Sequence, residues 1–152
     1  MTEINYWLMK SEPDAYSIDN LKNEGVTLWD GIRNYQARNF MRQMNKGDKV
    51  FFYHSNCNPR GIVGLMEVVD MKIVDPTQFN KDSKYFDPKS KPENPRWDCV
   101  KVKYLSKSNK MLSLPELKTL FNEDELLVVK KGNRLSIVPV RNDVAKILLR
   151  KI

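Results

Sequence analysis

The chain has 152 residues, 41% hydrophobic and 30% charged, with a formal net charge of +7. That is one ordinary globular domain, residues 1–152, large enough to bury a real core, and it excludes a disordered, acidic or fibrous class. No apolar run approaches the ~20 residues of a membrane span, and Met1–Asn5 lacks a secretory pattern, so a cytoplasmic protein is expected, or a nuclear one in a eukaryote.

In chain order, Tyr6-Trp7-Leu8-Met9-Lys10 reads as a first strand, stopped by Ser11-Glu12-Pro13-Asp14. Ser17 is placed to cap a helix over Ile18–Glu24 that Gly25 ends. Val26–Trp29 is short and extended. Asn34 caps a second helix, Tyr35–Met44, whose apolar residues Ala37, Phe40, Met41 and Met44 recur at helical spacing. Arg38 and Arg42 are neighbours on its other face. Lys49–His54 and Gly61–Val74 are strands, and Gly61 and Gly64 mark a bulge or a close backbone approach.

Residues 75–96 carry four X-Pro pairs and form a long irregular loop with at most one helical turn near Pro76. Two roles are open to it. It is a lid or rim in which Tyr85, Phe86 and Lys89 reach a ligand, or a cover that buries Phe79 and Phe86. Trp97–Leu105 alternates as a strand. Lys107–Met111 reads as a polar linker. Ser113-Leu114-Pro115-Glu116 opens a helix, and a short one covers Asp124–Val128. Leu135–Val140 is the last strand, and Asn142 caps a terminal helix. Strands at irregular intervals with helices inserted predict an α+β fold on a curved, mostly antiparallel sheet.

The chemistry is sparse. Cys57 and Cys99 match no zinc or redox spacing and read as free thiols. His54 is the one histidine, and neither Ser55 nor Cys57 beside it gives the geometry of a nucleophile and base. No metal-ligand spacing and no glycine-rich phosphate loop is present, so no cofactor and no metal are expected. Charge is more telling. Residues 31–60 hold six Lys/Arg against one acid, whereas residues 1–30 hold two against six. The basic segment coincides with Trp29-Asp30-Gly31-Ile32-Arg33-Asn34-Tyr35-Gln36-Ala37-Arg38-Asn39, rich in aromatic, amide and guanidinium groups. That coincidence is the footprint of a nucleic-acid site. The lysines of the C-terminal third read as a solvated face. Polar and aromatic groups also collect where strands end: Lys10-Ser11-Glu12, Trp29–Asn34, Tyr53-His54-Ser55 and Arg96-Trp97. Together with Tyr35 they are the candidate ligand-binding residues, and Arg38, Arg42 and Arg60 the candidates for the nucleic-acid backbone.

Seven ordered blocks resemble the EVE domain family. They are Tyr6–Pro13, Trp29–Asn39, Phe52–Asn56, Gly61–Gly64, Tyr85–Ser90, Pro95–Trp97 and Arg134–Val140. The resemblance implies a PUA-like pseudobarrel of mostly antiparallel strands with surrounding helices. It also implies kinship with YTH domains, which hold a methylated adenine of RNA in an aromatic cage. On that analogy Trp29 is a cage wall, Lys10 and Ser11 lie at the pocket floor, and Tyr53-His54-Ser55 form a side. The chain departs from the family pattern at Cys57-Asn58-Pro59-Arg60, where a proline-rich turn is common, and in the polar stretch Lys107–Met111. The implied function is a non-catalytic, monomeric module that reads a modified base, modified cytosine or methylated adenine, in DNA or RNA. The alternatives are an ASCH-like nuclease using His54, Lys10 and Glu12, and a small-metabolite sensor.

Overall fold

A computed structural model describes residues 3–152. Six strands form one mixed sheet. They are β1 (Tyr6–Ser11), β2 (Val26–Leu28), β3 (Lys49–His54), β4 (Gly61–Val74), β5 (Asp98–Ser113) and β6 (Ile137–Val140), in the order β2-β5-β4-β3-β1-β6. Every neighbouring pair is antiparallel except β1 with β3, which run parallel from Tyr6↔Lys49 to Ser11↔His54. The helices are α1 (Ile18–Glu24), α2 (Tyr35–Gln43), α3 (Leu114–Leu120) and α4 (Asn142–Lys151). The fold is the expected α+β one. Among the described residues, no helix is long and apolar enough to cross a membrane.

Alternation along the strands divides the core in two. Trp7 and Met9 of β1 and Val50 and Phe52 of β3 join the cluster that α1 and α2 cover. Leu8, Phe51 and Tyr53, one residue out of phase, join the cluster under α3 and α4. Asp48, 1% exposed, fastens the start of β1. Its carboxylate accepts from the Trp7 indole at 2.9 Å, Asn45 N at 2.9 Å and Asn5 N at 3.1 Å, which satisfies a buried charge that would otherwise be costly.

The two glycines of β4 do what a bulge requires. The register with β5 shifts between Ile62 and Gly64, and a Cβ on Gly64 would lie 2.6 Å from Ile18 Cδ1 and from Ser106 O. Across this bulge the alternation changes phase: Val63 lies in the cluster under α1 and α2, whereas Leu65, two residues on, packs against the other.

Three expectations are corrected. Lys107–Met111 is not a linker, because β5 continues to Ser113 by pairing with the first half of β4. The short helix after α3 is a 3-10 turn at Leu127–Val129. The terminal helix begins after Arg141, with no side-chain cap from Asn142. Ser17 and Asn34 cap their helices as expected, accepting from Asn20 N and Ala37 N.

Candidate nucleic-acid interface

Because β1 and β3 are parallel, their C-terminal ends arrive side by side. The link continues past them: Ser55 N donates to Ser11 O at 3.0 Å, and Lys10 N donates to Ser136 O, just before β6, at 2.8 Å. The Glu12–Tyr16 turn folds over this end, held by the Ser11 hydroxyl donating to Tyr16 O at 2.6 Å and Asn56 Nδ2 donating to Glu12 Oε1 at 3.1 Å. Opposite stands the Trp29–Ile32 segment, which leaves β2 and is anchored by Trp29 N donating to Val100 O at 2.8 Å. Between them opens a cavity of about 1160 Å³.

Of the residues expected to bind ligand, Lys10, Ser11, Glu12, Trp29, Asp30 and Ser55 line this cavity, and so does Arg60. Trp29 is 7% exposed. Its ring packs edge-on against Phe52 at 5.4 Å and against Tyr16 at 6.3 Å between centroids. It is a core residue and a cavity wall at once. Asp30 is exposed on its outer side, yet burial behind it and the charge on Asp75 push its carboxyl above the usual carboxylate range. Lys10 is held below the usual ammonium range by burial and then by the nearby Arg60 guanidinium.

The other expected residues lie elsewhere. Arg33 sits behind the cavity wall, where all five of its N–H groups are used. They go to Ile32 O, to Asp75 Oδ2 at 3.1 Å, to Thr77 Oγ1 at 3.0 Å, and twice to Tyr85 O at 2.7 and 3.0 Å. Asn34 is occupied as a helix cap. Tyr35 is exposed and stacks on Trp97, centroids 4.8 Å apart. Trp97 itself is buried, with its indole N–H on Asp87 at 2.7 Å. Arg96 gives its carbonyl to Arg38 at 2.8 Å. Arg38 also lies 4.6 Å over the Tyr35 ring, and Arg42 is ion-paired with Asp98. His54 accepts the Ile18 N–H on Nε2 at 3.1 Å, capping α1, and burial keeps its imidazole below the usual range. Tyr53 lines a second, smaller cleft of about 220 Å³ that adjoins the cavity and shares Lys10, Ser55 and Arg60 with it.

The long proline-rich loop is an organised structure. Buried Gln78 donates to Asp75 O and Trp97 O, each at 2.7 Å, and accepts from Trp97 N and the Ser90 hydroxyl. Phe79 and Phe86 are half-buried. The loop reaches the cavity at Lys84 and Tyr85. The Tyr85 ring lies on Gly31, whose φ is 79° and where a Cβ would sit 2.7 Å from the ring. Glycine is required there both by the left-handed backbone and by the close approach.

Sequence reasoning missed Tyr16, Lys84, Arg134 and Ser136 in the cavity, and Lys118, Lys130 and Lys131 in the cleft. The Tyr16 hydroxyl is buried without a hydrogen bond of normal geometry, although Thr27 and Glu24 are near it. Arg134 and Ser136 fall in the block opening at Arg134, so a signal for them existed. The lysines carried none. Among the described residues, no group of three or more His, Cys, Asp or Glu side chains could hold a metal ion.

The fold and cavity define a small α+β domain with a cation-rimmed, aromatic-walled recess at one end of a mixed sheet. The EVE domain model matches residues 5–151, and the chain belongs to the EVE domain family. It is 48% identical over 126 residues to thymocyte nuclear protein 1 of Rattus norvegicus, covering 76% of this chain and 56% of the rat protein. The chain thus spans little more than half the length of that relative. Among solved structures, a protein of Pseudomonas syringae superposes with a TM-score of 0.91 at 43% identity, covering 97% of this chain and 99% of the other. The human THYN1 protein in complex with 5-methylcytosine-containing DNA superposes with a TM-score of 0.89 at 38% identity, covering 96% of each chain. A YTH domain of Zygosaccharomyces rouxii shares the fold, with a TM-score of 0.52 at 14% identity over 99% of this chain and 90% of that one.

Proposed function

We propose that this chain is a non-catalytic nucleic-acid binding module that takes one modified base, with 5-methylcytosine in DNA the first candidate, out of its strand and into the cavity. The observation that carries the reading is the cavity itself, which brings Trp29 and Tyr85 together with Lys10, Ser11, Glu12 and Asp30. Aromatic rings offer stacking to a base that has left its strand, worth ~1–3 kcal/mol per base. The carboxylates of Asp30 and Glu12 suit the exocyclic amine of cytosine, and Lys10 and Ser11 suit a base carbonyl. Apolar Leu28 and Ile32 in the lining suit a methyl group. The binding partner of human THYN1 supports the same choice of base.

A nuclease reading finds less support. His54 spends its free lone pair on Ile18 and does not line the cavity. As a base reader this domain acts as a monomer without a metal, in a bacterial cytoplasm or a eukaryotic nucleus.

The test is fluorescence titration with short DNA and RNA strands carrying cytosine, 5-methylcytosine, adenine or N6-methyladenine at one position. Tighter binding of a modified strand than of its unmodified twin is expected. Equal affinity across every pair, or cleavage of the strand, would overturn the reading.

A further inference from the structure

We propose that the small cleft beside the cavity is a phosphodiester channel, in which the strand whose base enters the cavity lays its adjoining phosphates against Lys10, Arg60, Lys118, Lys130 and Lys131. The inference rests on the base-reading proposal and adds the path of the strand.

Five cationic side chains line this cleft and no carboxylate does. Among the described residues none of the five is in an ion pair, whereas Arg33, Arg42, Lys49, Arg96, Lys107 and Arg141 all are. Lys10 is half-buried there and the other four are exposed; unpaired cations gathered in one concavity repel one another, and an anion between them relieves that repulsion. At Lys10 the ammonium is held below its usual range first by burial and then by the Arg60 guanidinium. Tyr53, at the same wall, is kept protonated by burial, its phenol pushed up to about 12, so it remains a donor to an anionic oxygen.

Size and shape fit the same ligand. About 220 Å³ is below the ~300–1,000 Å³ of small-molecule sites but suits phosphate groups of a passing chain. Lys130 and Lys131 stand on a fixed turn. Asn133 N donates to Lys130 O at 3.1 Å, Asn133 Nδ2 donates to Leu127 O at 2.7 Å, and Gly132 takes a φ of 78°. Arg134, close by in the chain, lines the base cavity, so one short turn serves both recesses. Lys10, Ser55 and Arg60 are common to both, which makes the cleft the continuation of the cavity.

The experiment titrates single-stranded DNA carrying one central 5-methylcytosine, and its unmodified twin, into wild-type protein, into K130Q/K131Q and into K146Q/K151Q, over a range of salt. Lys146 and Lys151 are exposed on α4 and line neither recess, so their replacement removes equal charge without touching the channel. For K130Q/K131Q, affinity should fall about tenfold at low salt for both strands, with their ratio unchanged. The slope of log K against log salt should fall by ~1.4, or ~0.7 for each single-strand phosphate that is no longer neutralised. K146Q/K151Q should keep the wild-type slope. An unaltered slope in K130Q/K131Q, or an equal loss in both variants, would overturn the channel. Failure of the base-reading proposal shows separately, as equal wild-type affinity for the two strands.

Discussion

Two basic regions of this molecule have opposite fates. The Trp29–Arg42 segment holds the sequence's densest mixture of arginine, amide and aromatic residues, and the structure uses it internally. Arg33 is saturated by four residues, Arg38 stacks on Tyr35 and binds Arg96 O, and Arg42 pairs with Asp98. The Lys118 and Lys130–Arg134 region reads in sequence as an ordinary solvated face, yet its cations line two recesses and pair with nothing among the described residues. A count of charges along a chain therefore does not say which charges are available. Availability depends on the carboxylates and carbonyls that the fold brings within reach. The contrast has a measurable form: replacing the arginines of the first region should act on stability rather than on binding, and replacing the cations of the second should act on binding.

The largest effect expected is at Trp29. Truncation to alanine removes a nearly buried ring packed on Phe52 and Tyr16, and such changes cost ~3–5 kcal/mol. Trp29→Ala is thus a stability variant first, read as a shifted urea midpoint. Trp29→Phe keeps most of the packing and is the sharper probe of stacking. A Trp29→Ala protein as stable as wild type would show that the ring is a free cage wall.

Arg33→Ala comes next. Asp75 is fully buried, and losing its guanidinium partner leaves a charge held only by the Gly31 and Thr77 N–H groups and the Thr77 hydroxyl. A loss of ~3 kcal/mol is expected, with oligonucleotide affinity unchanged at temperatures where the variant remains folded. Reduced affinity in a fully folded variant would return Arg33 to the binding surface. Gly31→Ala follows, at ~1–3 kcal/mol for a side chain forced into a left-handed backbone. Its Cβ also displaces Tyr85 from the cavity rim, so binding and stability should both fall.

The pH response probes a site outside both regions, the imidazole that holds the start of α1. His54 has a folded-state pKa depressed by burial, partly offset by Asp19 and reinforced by Lys107. Folding therefore favours the neutral ring. Its contribution is whole above the ordinary imidazole value of ~6.5 and is lost as the pH falls from there through the depressed folded value. The protonated ring also cannot accept the Ile18 N–H. Since this is the chain's one histidine, the difference in urea midpoint between wild type and His54→Gln across that window reports it directly. A constant difference would mean that the imidazole does not titrate with folding.

How much of this was legible in the chain varies by element. The limits of β3 and β4 coincide with the sequence reading, because Lys49–His54 and Gly61–Val74 are apolar runs bounded by turn formers. The far half of β5 was not legible. Ser106-Lys107-Ser108-Asn109-Lys110 has no strand propensity of its own and is extended because β4 offers it a partner. The cavity divides the same way. Lys10–Glu12, Trp29–Asp30 and Ser55 were found because strand ends are visible locally. Tyr85 was reached only as one residue of a possible lid, and Arg134 and Ser136 were not assigned to the cavity, because that requires knowing that β6 lies beside β1 and that the long loop returns to Gly31.

The smallest effect expected is at Arg42, and it bears most directly on the contrast. Its side chain is 41% exposed and pairs with Asp98 at the surface, a class of interaction worth ~0.2–1 kcal/mol. Arg42→Gln should shift the urea midpoint by little more than the error of the measurement. Removing one positive charge lowers the general attraction for a polyanion slightly, and that loss disappears once salt screens it over a Debye length of ~8–10 Å. A direct phosphate contact behaves differently, since it releases counterions and changes the slope of log K with log salt. Arg42→Gln with wild-type slope shows that the strand's phosphates do not contact Arg42, as the channel on the lysine side requires. A slope reduced by ~0.7 would show that Asp98 yields its partner to the nucleic acid and that the arginine face carries the backbone after all.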